Sequence, residues 1–202
     1  MTTYDRAAGG DHELALELYR WNAQLASALV APLQVCEVVL RNAVSDAIEC
    51  AYADPRWPWS TGFLRSLPSP AKGYNPTRDL YAARSAQPST GKVIAELKFV
   101  FWQQMFTRRH DNRIWNAQLF QVLPNLDPSR QVRAQRQAIA NSIETIRQLR
   151  NRVAHHEPVF RRNLADELAI ILQLIHYRCE HTATWVRSVE SVTDVLAARP
   201  IP

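Results

Sequence analysis

From Asp11 onward the apolar residues return every three or four positions, at Leu14, Leu18, Trp21, Leu25 and Leu29, then at Leu33, Cys36, Val39, Leu40, Ala43, Val44 and Ile48. That spacing gathers them on one face of a helix, whereas a half-buried strand would alternate. Pro32 falls where a second helix can begin, because proline is tolerated in a first turn. The stretch therefore predicts two helices, or one long kinked one, reaching about Tyr52. The same period in Val93, Ile94, Leu97, Phe101 and Met105 predicts a third helix, capped by Ser89 or Thr90. A short helix is expected over 114–124, closed by Pro124, and a long one over about 128–156. Asn163 is placed to cap another long helix running through 189, with a short one near 191–199. Alternating patterns and Asn-Gly or Asp-Gly turns are missing. The expected fold is all-α, a bundle of four to five main helices.

Residues 53–91 break this rhythm. The segment is dense in proline and carries Gly62, Gly73 and Gly91, which predicts an irregular insertion with short helices near 60–66 and 77–86. Trp57, Trp59, Phe63 and Tyr74 give it more aromatic surface than a disordered linker would have, so it is expected to pack on the helical body. Core packing is the favoured role for those rings, with base stacking the alternative. "STGK" at 89–92 lacks the upstream glycine of a phosphate loop and follows no strand, so it is no nucleotide motif.

The length of 202 residues suits one domain spanning 1–202. With 47% hydrophobic and 21% charged residues, the chain has the balance of a globular protein. No continuous apolar run approaches the roughly 20 residues that cross a bilayer, and MTTYDRAAGGDHE lacks the pattern of a signal peptide. A cytoplasmic protein with no membrane partner is expected. Cys36, Cys50 and Cys179 are scattered and form no C-x-x-C, so buried reduced thiols are expected and no metal site or cofactor. The net charge of +5 comes from 21 Arg and only 3 Lys. Arginine is the better partner for a phosphate, so the charge permits a nucleic-acid ligand without requiring one.

The chemistry is concentrated in 147-RQLRNRVAHHEPVF-160. Asn151 and His155 stand four apart and share a helix face. Arg150 is five before His155, about 140° round an ideal helix, so the helix alone does not aim both at one point. Convergence requires the length of the arginine, a loosened last turn, or a partner surface. His155 and His156 lie beside the exposed carbonyls of a helix end, which favour an imidazolium, and Glu157-Pro158 stops the helix. Histidine moves a proton near neutral pH and arginine neutralises charge on phosphate oxygens. Asparagine can hold either partner. Such a set suits phosphoryl transfer without metal. The plainer alternative is a histidine cap, with Arg150 paired to Glu144 or Glu157. His156-Glu157 does not continue into the spacing of H-E-x-x-H, so zinc is not indicated. Glu37 and Arg41 form an i,i+4 pair within an apolar helix. Either they pair with each other at the surface, or they face Arg150 and the histidines and organise one pocket.

Arg150, Asn151 and His155 match the R-x(4–6)-H motif of the HEPN superfamily. Together, 19-YRWNAQLASALVAPLQVCEVVLRNAV-44, 93-VIAELKFVFW-102 and 148-QLRNRVAHHEPVF-160 resemble its Abi-like (abortive infection) branch, over about residues 15–178. The resemblance implies an all-helical domain with the motif near a homodimer interface. It also implies a metal-independent ribonuclease of phage-defence or toxin systems, some of whose relatives are held by an antitoxin protein. Arg150 and His155 would be the catalytic pair and Asn151 their polar companion, with Glu37, Arg41 and His156 supporting the pocket. Other members of the superfamily bind nucleotide, RNA or protein without cleavage, and that is the alternative function.

Overall fold

The computed structural model describes residues 2–200 of the chain. Its α-helices are α1 (Thr2–Ala7), α2 (His12–Tyr52), α3 (Thr61–Ser66), α4 (Pro76–Ala86), α5 (Thr90–Glu96), α6 (Phe99–Met105), α7 (Asn116–Val122), α8 (Val132–Ala154), α9 (Leu164–Arg178), α10 (Glu180–Val189) and α11 (Val192–Ala197). No strand occurs among the described residues, and the fold is an all-α bundle. The axial element is α2, against which α1, α7, α8, α9 and α11 all pack.

The cap of α2 is Asp11, whose carboxylate accepts from the Leu14 amide at 3.0 Å. Leu18, Trp21, Leu25, Leu29, Leu33, Cys36 and Leu40 are buried along its inner face. The helix runs through Pro32, so that of the two readings the single long helix is found and no second helix starts there. Magnitudes explain why. A proline inside a helix costs about 3 kcal/mol, and each fully buried leucine contributes about 1.5–3 kcal/mol. Leu29 and Leu33 beside it, with Leu25 and Leu40 further along, outweigh one lost bond.

As a single 41-residue helix, α2 also bears on the expectation about membranes without overturning it. Although Gln24 and Gln34 interrupt any continuous apolar run, an 18-residue window has a mean hydropathy of 1.6. By length and composition α2 could cross a bilayer, a property that the core helix of a folded bundle shares, and 33% of that window is buried here.

Two other expected helices are divided. Leu97 and Lys98 are extended and separate α5 from α6. Lys98 lies 3.7 Å from Asp79 of α4, and beyond it Phe101 and Trp102 are wholly buried. Cys179 is extended and separates α9 from α10. The last carbonyls of α9 are taken by Asn125, whose side chain donates to His176 O at 2.8 Å and whose amide donates to Tyr177 O at 3.2 Å. Arg178 bonds Val122 O at 2.7 Å and pairs with Asp46 of α2.

The insertion carries α3 and α4 where short helices were expected, and it packs on the body. Trp57 is fully buried, with Phe63 edge-on at 5.2 Å, and its indole donates to Ser45 of α2 at 3.0 Å. Trp57 is core and no platform for a base.

Candidate active site

Through Ile139, Ile143, Ile146 and Leu149, all buried, α8 is anchored to the bundle. Its end is a Schellman turn: the Glu157 amide donates to Arg152 O at 2.8 Å and the His156 amide to Val153 O at 3.2 Å. In this motif the residue after the cap takes the left-handed conformation and is usually glycine. Here it is His156, with φ of 56°. The apolar contact that often closes the motif is replaced by an ion pair, Arg152 to Glu157 at 3.4 Å. The chain beyond is pinned to α2 by Asn22. Its buried carboxamide oxygen accepts from the amides of Val159 at 2.8 Å and Phe160 at 3.2 Å. Sequence reasoning missed Asn22; the signal was a lone amide within the buried stripe Leu18, Trp21 and Leu25, where an unpaired polar group would be costly.

This turn and α2 enclose an open cleft of about 550 Å³. Gln34, Glu37, Arg41, Arg150 and His156 supply its polar groups, with Val30 and Leu33 among its apolar walls. Of the two arrangements open to Glu37 and Arg41, the facing one is found. Glu37 Oε2 lies 3.9 Å from Arg150 Nε, across the two helices. No carboxylate lies within 4.0 Å of Arg41 among the described residues, and its buried Nε has no hydrogen-bond partner. The acids considered for Arg150 are engaged elsewhere. Glu144 pairs with Arg147 at 2.8 Å, and Glu157 with Arg152. The hydrogen bond from Arg147, aided by those from Gln148 and Gln103, holds the Glu144 carboxyl down at about 2.

Two of the residues singled out by the motif stand outside this lining. His155 is the exposed cap of α8; its amide donates to Asn151 O at 2.9 Å, and its ring makes no hydrogen bond among the described residues. Asn151 is half-buried. The polar side chains that line the cleft are Gln34, Glu37, Arg41, Arg150 and His156.

Electrostatically, two guanidinium groups face one carboxylate, which leaves one positive charge before either histidine is counted. Such a cleft attracts an anion and repels a cation. Arginine forks suit a phosphate or a carboxylate, and an imidazole can add a further donor. Comparison with protein-family models, with curated proteins and with solved structures finds no match to this chain.

Proposed function

We propose that the chain is a metal-independent endoribonuclease of the Abi-like HEPN kind, acting in the cytoplasm in phage defence or as the toxin of a toxin–antitoxin pair. The observation that carries this reading is the cleft's uncompensated guanidinium: Arg41 has no acid partner and stands with Arg150, Glu37 and His156. In the reaction, a histidine takes the proton from a ribose 2′-hydroxyl, whose oxygen then forms a bond to phosphorus. The bond from phosphorus to the 5′-oxygen breaks, and that oxygen takes up a proton. The products are a 2′,3′-cyclic phosphate and a 5′-hydroxyl. Arg150 and Arg41 stabilise the charge that builds on the phosphate oxygens. The base is His155 by the motif, while His156 is the imidazole that reaches the cleft of its own protomer. A symmetric homodimer would bring a second Arg150 and His155 around one shared site, which is how an exposed His155 would come into use.

The test is incubation of total cellular RNA with purified protein in EDTA, followed by mapping of the new ends. Wild type, Arg150→Ala, His155→Ala and His156→Ala are compared. The expected result is discrete cuts with cyclic phosphate in wild type, reduced by two or more orders of magnitude without Arg150 and without the base histidine. Whichever histidine variant loses activity names the base. Cleavage that needs added metal, or that survives all three substitutions, would sink the proposal. The place of His155 outside the cleft lining favours a second reading, a HEPN module that binds nucleotide, RNA or a protein without cutting. Intact RNA with salt-sensitive binding would establish it.

A further inference from the structure

The cleft is not closed at His156. A second depression of about 320 Å³ shares Val30, Val153 and His156 with it and continues along α2 to Tyr4 and Tyr19. The two form one groove with His156 at the junction. Its floor is a single face of α2, on which Tyr19, Ala23, Ala26, Val30, Glu37 and Arg41 follow at steps that sum to whole helical turns. From Tyr19 to Arg41 is 22 residues of helix, or about 33 Å at 1.5 Å per residue. That length exceeds one nucleotide and matches several nucleotides of extended single strand.

The two ends differ in chemistry. At one end stand Arg41 and Arg150, with Glu37 3.9 Å from Arg150. At the other end is a ring held from behind and open in front. Tyr19 is 52% exposed, yet its ring meets Tyr4 edge-on at 5.3 Å. Tyr4 is buried and packs on Phe160 at 5.3 Å, next to the amides that Asn22 pins. An exposed aromatic held by one buried ring, itself packed on a second, has already lost part of its freedom, so stacking a planar ligand on it costs less further entropy. Between the ends the floor passes from Ala23, Ala26 and Ser27 to Val30, Leu33 and Gln34, and the acid there, Glu157, is paired with Arg152.

We infer that this groove binds single-stranded RNA along α2, with Tyr19 as a base-stacking subsite several nucleotides away from the phosphate held by Arg41 and Arg150. The inference rests on the RNA reading of the cleft and adds to it where the strand runs. A cation at one end and an aromatic platform at the other are the two parts that sequence-tolerant single-strand binding requires.

The experiment uses fluorescence anisotropy with a labelled 2′-O-methyl oligoribonucleotide, in which the attacking hydroxyl is blocked so that binding is read without cleavage. Tyr19→Ala is expected to weaken binding about tenfold, the usual size of one lost base stack, and Tyr19→Phe to restore it. A strand of the same length made entirely of abasic units should bind wild type and Tyr19→Ala equally. Arg41→Ala should weaken binding of both strands and reduce the dependence on salt. If Arg41→Ala weakens binding while Tyr19→Ala does not, the subsite is overturned and the cleft reading stands. Should wild type bind neither strand, both fall. If Tyr19→Ala splits a dimer in sedimentation with RNA affinity unchanged, the ring belongs to a second copy of the chain, and the subsite is again overturned.

Discussion

Two arginines of α8, Arg136 and Arg150, are fourteen residues and about four turns apart, and they live in opposite conditions. Arg136 is 3% exposed; its Nε bonds Asp111 at 2.8 Å, and its Nη1 bonds Phe106 O at 3.2 Å. Arg150 is 43% exposed at the side chain and has one acid at 3.9 Å, beyond hydrogen-bond distance. The first is fully committed to the fold. The second keeps most of its five donors free. The same residue type on the same helix is thus a structural strut at one end and an unspent cation at the other, and the difference is made by what faces it.

Removing each arginine should expose this difference, beginning with the largest effect. Arg136→Ala strands the Asp111 carboxylate in the interior, which costs about 3–5 kcal/mol, or a fall in Tm on the order of 10 °C for a chain of this size. Denaturant unfolding followed by circular dichroism would measure it. A loss below about 1 kcal/mol would mean that water reaches the pair.

The same buried end carries His110, 1% exposed with an unpartnered Nδ1. Burial first, and then Arg109 and Arg113, push its pKa down from 6.5 to about 4. The folded state therefore refuses a proton that the unfolded chain accepts between those two values. Stability should fall as pH drops from 6.5 towards 4, by about 1.4 kcal/mol per unit and about 3 kcal/mol in all. His110→Phe should flatten that part of the profile. Equal slopes in the two proteins would show that other groups govern the acid limb.

The helices were legible in the sequence where a long apolar stripe carries them, as in α2, α8 and α9, and also in the short α3 and α4. Their interruptions were not. No proline or glycine marks Leu97–Lys98 or Cys179; the contacts found there, Lys98 with Asp79 and Asn125 with the last carbonyls of α9, are with partners distant in sequence. Pro32 left one helix or two open, and local propensity yielded to burial. At the site, spacing left two arrangements for Glu37 and Arg41, and only the crossing of α2 with α8 selects one. Helical geometry also could not say which histidine meets the cleft. The helix ends at Ala154, and the left-handed turn at His156 swings that side chain away from any helical extrapolation.

That turn gives the next prediction. Glycine pays no steric penalty at a φ of 56°, whereas a side chain does. His156→Gly should therefore raise stability by up to about 1 kcal/mol, the gain being trimmed by the added freedom of the unfolded chain. A thermal melt should rise by about 2–4 °C, and, on the proposed function, binding of RNA should weaken. A variant that is both more stable and fully active would remove His156 from the cleft's chemistry.

The smallest effect on stability is expected at Arg150. Its contact with Glu37 is long and half-solvated, so Arg150→Ala should change unfolding free energy by about 0.5 kcal/mol or less. A double-mutant cycle with Glu37→Gln should give a coupling no larger. A coupling above about 1.5 kcal/mol would make the pair a strut like that of Arg136 and Asp111, and the contrast between the two ends of α8 would collapse. If the coupling is small and Arg150→Ala still abolishes RNA cleavage, the charge is held for a ligand. Loose pairing then has a reason: a guanidinium with a strong partner in the free protein would have to break that bond before it could meet a phosphate, and Glu37 at 3.9 Å sets its direction without occupying its donors.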